Sequence, residues 1–109
     1  MITNTIQELF DRKSVRAFTD QEILPEEKAL ILKAAAAAPT AGNQQLYTIL
    51  DITDQELKNK LAETCAHQPF IAKAKMVLIF CADYQKWYAA FQAVDCEPRK
   101  PGPGELMLA

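Results

Sequence analysis

Two arginines and a serine alternate along a short segment near the amino terminus. Arg12, Ser14 and Arg16 are each separated by a single residue. In an extended backbone, successive side chains point to opposite faces, so this spacing places both guanidiniums and the hydroxyl on one face. Arginine can bond two phosphate oxygens at once, and the set therefore suits a phosphate group. The alternative is a solvated basic turn whose surface ion pairs contribute little stability.

A polar loop supplies a second candidate set. Residues 39–47 join a predicted helix to a predicted strand, and Asn43 and Gln45 share one face of this loop if it is extended. Each amide offers one acceptor oxygen and two donor hydrogens, which suit the polar edge of a planar heterocycle or a ligand hydroxyl. The alternative is an ordinary polar loop without a ligand.

The third candidate is Gln68, which precedes Pro69 and is therefore biased away from helix. Its neighbour His67 is the single histidine of the chain. No nucleophile stands beside this histidine, which favours a surface or capping role. The sequence therefore predicts binding residues, without a catalytic side chain or a metal site.

Composition limits the classes of protein to consider. Half of the 109 residues are hydrophobic, which predicts one domain with a real core. The formal charge of -2 argues against a broad nucleic-acid surface. We expect neither a signal peptide nor a membrane span, since no apolar run approaches ~20 residues. The odd cysteine count predicts reduced thiols in a cytoplasmic protein, with Cys65 and Cys81 buried.

Hydrophobic periodicity and capping signals predict the elements that position these residues. In chain order they are a helix over 5–11, an extended run over 13–18, a helix from Pro25 to about Pro39, a strand over 47–52, a helix after a capping box at Thr53–Glu56, a strand over 76–81 and a helix capped by Asp83 that carries Trp87, Tyr88 and Phe91. The strand over 76–81 is continuously apolar, which predicts burial on both faces.

The character of the chain changes after Val94. Residues 95–104 form a predicted loop rich in proline and glycine, and residues 105–109 resemble the first turn of a further helix. A helix of that length is unstable alone. We therefore expect residues 1–94 to be the amino-terminal part of a domain whose second half is missing from this chain.

Taken in this order, the motifs resemble the amino-terminal half of the nitroreductase family of FMN-dependent enzymes. The resemblance is carried by RKSVRAF at 12–18, PTAGNQQ at 39–45, DITD at 51–54, Gln68 and VLIFCAD at 77–83. It is nearest the NADPH-preferring flavin reductase branch. It implies an α+β, nitroreductase-like fold, here about half of it, with helices packed on a small central β-sheet.

The resemblance also implies roles for individual residues. The positions that match Arg12, Lys13, Ser14 and Arg16 hold the FMN phosphate and ribityl chain, and the position that matches Gln68 approaches the flavin ring. Thr40 and Asn43 lie where the family's loop contacts FMN, often from the partner subunit. With Gln45, these amides would read the polar edge of the flavin or a ribityl hydroxyl.

The implied activity is an FMN-dependent oxidoreductase that uses NAD(P)H to reduce nitroaromatics, quinones or flavins, as a homodimer or higher oligomer. Two features depart from the family. Its common Pro-Trp after the loop glutamine is Leu46-Tyr47 here, and its members are about twice this length.

Two rival interpretations remain open. One is a truncated, catalytically inactive chain that folds as an oligomer without competent FMN binding. The other is an unrelated small α/β interaction domain with a basic turn.

Overall fold

The computed structural model describes residues 3–108, which form six α-helices and two β-strands. The elements in chain order are α1 (Asn4–Asp11), α2 (Pro25–Ala36), a short 3-10 turn (Ala41–Asn43), β1 (Tyr47–Asp51), α3 (Gln55–Thr64), α4 (Pro69–Lys73), β2 (Leu78–Ala82), α5 (Gln85–Gln92) and α6 (Pro103–Leu108). The strands pair antiparallel in a register that runs from Tyr47 opposite Ala82 to Asp51 opposite Leu78.

The first two helices begin at local capping signals. Thr3 caps α1 by accepting a hydrogen bond from the backbone N–H of Ile6, and the helix ends where Arg12 takes an extended conformation. Pro25 begins α2, and the Glu27 carboxylate accepts a 2.8 Å hydrogen bond from the backbone N–H of Leu24. Both helices begin within one residue of the predicted positions, because proline at a first helical position and a polar N-cap are strong local signals. Helix α2 ends at Ala36, before the predicted end at Pro39.

Helices α3 and α4 form the best-packed helix pair. Lys58 of α3 is buried, and its ammonium group donates a 3.2 Å hydrogen bond to the carbonyl oxygen of Ala74. The side chain of Gln55 likewise donates to the carbonyl oxygen of Ala72. The sequence did not predict α4, whose five residues are too few for a periodic signal.

The start of α3 differs from the prediction by one residue. The predicted capping box begins at Thr53, whereas Asp54 is the N-cap and its carboxylate accepts a 2.7 Å hydrogen bond from the N–H of Leu57. Both residue types favour this position. Geometry of the incoming chain selects the aspartate, because β1 ends at Asp51 and Ile52 is still bonded to Val77.

The second strand is less buried than predicted. The continuous apolar run predicts a strand covered on both faces, but Phe80 is 60% exposed and the other strand residues are partly or fully exposed. The prediction is wrong because the sheet has two antiparallel strands in the described residues, and neither face carries a tightly packed layer. Tyr84 is the N-cap of α5 and makes no capping hydrogen bond, whereas the predicted cap Asp83 lies one residue earlier and accepts a hydrogen bond from the N–H of Lys86.

The hydrophobic core is small. Among the described residues, the buried hydrophobic side chains are Leu46, Ile52 and Ala62. The accessible surface is 8951 Å², whereas a compact protein of this mass exposes about 6,100 Å². The radius of gyration is 17.9 Å, against about 13 Å for a compact domain of this length. The expected single domain with a real core is therefore absent from residues 3–108.

A gap separates α2 from the sheet. A cavity of about 370 Å³ is lined by Ala35 of α2, by Ala38 just after the helix, and by Tyr47 and Phe80 of the strands. An ion pair between Lys28 and Asp51 is the described polar link from α2 to β1. The small side chains of these alanines therefore line an open space between α2 and the sheet.

The carboxyl-terminal helix begins at Pro103, two residues before the predicted start at residue 105. The Glu105 carboxylate accepts a hydrogen bond from the N–H of Gly102 and pairs with Arg99, which stabilises this earlier start. Residues 1, 2 and 109 lie outside the described residues.

The thiol prediction is partly wrong. Cys81 is half-buried, but Cys65 is exposed because it follows the last residue of α3 at the surface. In the part of the chain that is described, no helix is long and apolar enough to cross a bilayer.

Candidate functional site

Residues 12–18, called the basic segment below, lie between α1 and α2, outside any helix or strand. Arg12, Lys13, Ser14 and Arg16 are all exposed. Across residues 3–108 the ion pairs are Lys28–Asp51, Lys75–Glu22 and Arg99–Glu105. None of these pairs involves Arg12, Lys13 or Arg16, so within residues 3–108 no carboxylate neutralises the three cations of the basic segment. Two guanidiniums, an ammonium and a hydroxyl in one exposed segment form a donor set that fits a phosphate.

An aromatic contact anchors the end of this segment to α4. The Arg16 guanidinium carbon lies 5.8 Å from the ring centroid of Phe70, which is the second residue of α4. Phe18 meets the same ring edge-on, with centroids 6.3 Å apart and an interplanar angle of 60°. Because residues 16 and 18 both reach Phe70, the segment presents alternate side chains on one side here, as an extended backbone requires.

Gln68 lies two residues before Phe70 and is the N-cap of α4. Its backbone is extended, with φ −100° and ψ 90°, as expected before Pro69. Its side-chain amide donates a 2.8 Å hydrogen bond to the carbonyl oxygen of Cys65. One amide hydrogen and the amide oxygen are left for a ligand. The structure thus brings Arg16 and Gln68 to the same end of one short helix.

The residues that lead into Gln68 have unusual backbone angles. Ala66 and His67 both lie in the left-handed region, with φ of 61° and 54°. Each such non-glycine residue costs roughly 1–2 kcal/mol relative to the right-handed conformation. Strain of this kind clusters at binding and active sites, where the surrounding structure maintains it.

The polar loop has the same feature. Gly42, Asn43 and Gln45 have φ of 57°, 52° and 51°. The Thr40 hydroxyl accepts a 3.1 Å hydrogen bond from the N–H of Gln45, which closes the loop. The structure therefore brings Thr40 and Gln45 together, and it leaves the amide groups of Asn43 and Gln45 exposed without hydrogen bonds among the described residues.

The two groups of candidate residues are not joined to each other. Across residues 3–108, no hydrogen bond or ion pair connects the basic segment with the loop at 40–45. One group is tied to α4 and the other adjoins β1. A ligand that contacts both would have to bridge them.

A cavity beside the polar loop was missed by sequence reasoning. It has a volume of about 490 Å³ and is lined by Asn43 and by the aromatic side chains of α5, which are Trp87, Tyr88 and Phe91. The indole N–H of Trp87 donates a 2.6 Å hydrogen bond to the carbonyl oxygen of Gln44. The cavity is in the size range of small-molecule sites. The available signal was the group of aromatic residues on the predicted helix after Asp83, to which the sequence analysis assigned no binding role.

Phe70 was also missed. The available signal was an aromatic residue directly after Gln68-Pro69, at the second position of a helix that proline can begin. Its partner Arg16 is distant in sequence, so the contact itself had no local signal.

Comparison with known proteins gives a consistent result. The Nitroreductase family model matches residues 9–97. The chain is 34% identical over 85 residues to an FMN reductase [NAD(P)H] of Bacillus subtilis, covering 78% of this chain and 34% of that protein. It is 34% identical over 85 residues to an NADPH-flavin oxidoreductase of Vibrio harveyi, covering 78% and 35%.

Solved structures agree. The NfrA1 nitroreductase of Bacillus subtilis superposes with a TM-score of 0.90 at 29% identity, over 96% of this chain and 43% of that one. The NADPH:FMN oxidoreductase of Vibrio harveyi, complexed with NAD+, gives 0.88 at 27% identity, over 97% and 44%. The chain thus spans about a third of the length of these curated relatives and under half of the solved chains. The predicted α+β, partial nitroreductase-like fold is confirmed, and the chain belongs to the nitroreductase family.

Proposed function

We propose that this chain binds the phosphate and ribityl chain of FMN through Arg12, Lys13, Ser14 and Arg16. The observation that carries the proposal is the exposed basic segment, whose cations are not paired with carboxylates of the described residues and whose end is held against α4. Its donor chemistry fits a phosphate, and its relatives are named as FMN reductases. Gln68 stands at the helix start that the segment contacts.

The loop would supply the remaining contacts of the site. Thr40 closes the loop, and Asn43 and Gln45 present exposed amides toward solvent. Because no hydrogen bond joins the loop to the basic segment of the same chain, we propose that loop and segment meet across a homodimer or higher oligomer. This arrangement lets the loop of one copy serve the basic segment of another.

The proposed activity is an FMN-dependent oxidoreductase that uses NAD(P)H to reduce nitroaromatics, quinones or flavins. Bound FMN supplies the hydride and electron transfer, and the protein supplies binding, orientation and electrostatics. We propose that the amides of Asn43 and Gln68 would donate hydrogen bonds where negative charge develops on the bound ring. An acid–base pair is not required. We also infer a cytoplasmic location, because all three thiols are free.

A second candidate function is a catalytically inactive nitroreductase-like chain that associates without competent FMN binding. It is favoured by the open structure, with an accessible surface of 8951 Å² and three buried hydrophobic side chains among the described residues. Binding of FMN and turnover of NAD(P)H separate the two candidates.

The test is to titrate the full 109-residue chain with FMN and to measure binding by the quenching of flavin fluorescence. We expect Arg12→Ala with Arg16→Ala to weaken binding at least tenfold, since a hydrogen bond to a charged group contributes about 1.5–3 kcal/mol. Lys33→Ala, an exposed cation on α2, is the matched control and should bind as the wild type does.

The outcomes distinguish the candidates. A chain that binds FMN and oxidises NAD(P)H with an added quinone supports the oxidoreductase. Binding without NAD(P)H oxidation supports binding alone and removes the proposed activity. An oligomer that binds no flavin supports the inactive chain, and binding that is unchanged by both arginine substitutions supports an unrelated interaction domain.

A further inference from the structure

Two side chains of the basic segment contact the ring of Phe70. The guanidinium of Arg16 lies over the ring at 5.8 Å, and Phe18 contacts it edge-on at 6.3 Å between centroids. Phe70 is itself half-buried, whereas Arg16 and Phe18 are exposed. The ring is therefore the fixed surface, and the basic segment is the part that it holds.

A guanidinium held by an aromatic face keeps its hydrogen-bonding edge available. The group is planar and presents its N–H donors in that plane, so stacking and phosphate binding use different parts of it. A free arginine side chain loses rotamer freedom when it binds a ligand, and this loss weakens affinity. A ring that already restricts the side chain reduces the loss.

We infer that Phe70 is a positioning residue for the cofactor phosphate, holding the Arg16 guanidinium beside the start of α4 so that it can bond the phosphate of FMN. The inference rests on the proposed FMN function. It also makes Phe70 a determinant of specificity, because the ring acts through a contact that only a phosphorylated flavin makes. Riboflavin, which lacks the phosphate, gains nothing from it.

The test compares FMN with riboflavin as ligands of the full chain. Phe70→Leu keeps an apolar side chain and removes the ring, while Phe70→Tyr keeps the ring. The matched control is Phe80→Leu, which changes an exposed phenylalanine on β2 that has no aromatic or cation contact with the basic segment. Far-ultraviolet circular dichroism checks the fold of each variant.

We expect Phe70→Leu to weaken FMN binding about two- to fivefold, which is the usual strength of an exposed cation–π contact converted at a factor of ten per 1.4 kcal/mol. Riboflavin binding should stay unchanged, and Phe70→Tyr and Phe80→Leu should both bind FMN as the wild type does. In an Arg16→Met background, Phe70→Leu should have no further effect.

A second measurement requires no flavin. In the wild-type chain, the Arg16 Nε–H nuclear magnetic resonance signal should be displaced by the ring current of Phe70 relative to that of Arg12. The displacement should persist in Phe70→Tyr and in Phe80→Leu. If Phe70→Leu fails to fold, this measurement still tests the Arg16–Phe70 contact on which the inference depends.

Three results would overturn the inference: equal weakening of FMN and riboflavin, no weakening of either in folded Phe70→Leu, or an undisplaced Arg16 signal in the wild type. The first two presuppose a wild-type chain that binds flavin, and they leave the proposed function standing. A wild-type chain that binds neither flavin overturns the proposed function, and the role of Phe70 toward the phosphate with it.

Discussion

The hydroxyl of Thr48 on β1 donates a 2.5 Å hydrogen bond to the carboxylate of Asp83, directly after β2. The same carboxylate accepts a hydrogen bond from the backbone N–H of Lys86 in α5. The pKa of Asp83 is lowered from its ordinary value of 3.8, chiefly by the hydrogen bond from Thr48. The Lys86 ammonium then donates to the carbonyl oxygen of Tyr47. These contacts connect the start of β1 and the residue after β2 to α5.

The first prediction concerns acid stability. Because the pKa of Asp83 is lower in the folded chain than in the unfolded chain, its contribution to stability is present above the unfolded pKa of about 3.8. That contribution is lost as the pH falls through the folded pKa. We expect Thr48→Val to lower the urea midpoint at neutral pH and to make the decline below about pH 4 shallower.

The measurement is a set of urea unfolding curves between about pH 7 and pH 2, recorded for the wild type and the variant. Thr5→Val, an exposed threonine on α1 without a described hydrogen bond, is the matched control. Identical acid dependence in the wild type and Thr48→Val would show that this hydrogen bond does not set the titration of Asp83.

The second prediction concerns the cap of α3. Asp54→Ala removes the acceptor for the Leu57 N–H and should lower the free energy of unfolding by about 1 kcal/mol. Thr53→Ala should change it by less than about 0.5 kcal/mol, since Thr53 is an exposed residue outside the cap. Denaturant unfolding of both variants makes the comparison. A larger loss for Thr53→Ala would move the cap back to the residue that begins the capping box.

Local signals account for most of what could be predicted of the fold. Pro25, Asp83 and the β-rich composition of residues 47–52 act over a few residues, so the starts of their elements are found within one or two positions. The choice of Asp54 over Thr53 depends on where β1 stops, which is set by pairing with a strand that is distant in sequence. The exposure of Phe80 depends on how the helices pack against the two-stranded sheet, which is set by contacts between distant residues and has no local pattern.

The third prediction concerns backbone strain beside Gln68. Ala66 has φ of 61°, a conformation that glycine adopts without steric cost. We expect Ala66→Gly to raise the free energy of unfolding by roughly 0.5–1 kcal/mol, because relief of the left-handed penalty exceeds the added entropy of the unfolded chain. Ala89→Gly, in the exposed interior of α5, should lower it by about 1 kcal/mol. Opposite signs in urea unfolding would confirm the strain, and equal losses would refute it.

The fourth prediction concerns association. The accessible surface exceeds that of a compact 12.2 kDa protein by roughly 2,900 Å². Stable homodimer interfaces bury 2,000–5,000 Å² in total, and the exposed hydrophobic side chains include Leu9, Phe10 and Leu30. We therefore expect sedimentation equilibrium to give at least twice the chain mass at micromolar concentration. A monomer that fails to bind an apolar fluorescent dye would contradict this prediction.

As with the fold, the parts of the candidate site that depend on neighbouring residues could be predicted, and the contacts between distant residues could not. Residue type and period-two spacing singled out Arg12, Ser14 and Arg16, because phosphate binding requires those groups on one exposed segment. Phe70 could not be found this way, since a ring under an arginine is a contact between residues far apart in the chain. The left-handed angles of Gln45 and Ala66 were equally hidden, because neither residue type favours positive φ, whereas glycine, asparagine and histidine do.

The distribution of packing along the chain has a kinetic consequence. Pairing of β1 with β2 and packing of α3 on α4 are confined to residues 47–82, whereas the residues of α1 are all exposed. Backbone amides in 47–82 should therefore open together and exchange their hydrogens with solvent slowly, while those of α1 exchange by independent fraying. The basic segment sits between α1 and this slowly exchanging unit, joined to it through Phe70. If the basic segment binds a ligand, its backbone amides should also exchange their hydrogens slowly, from the end that contacts Phe70 toward Arg12.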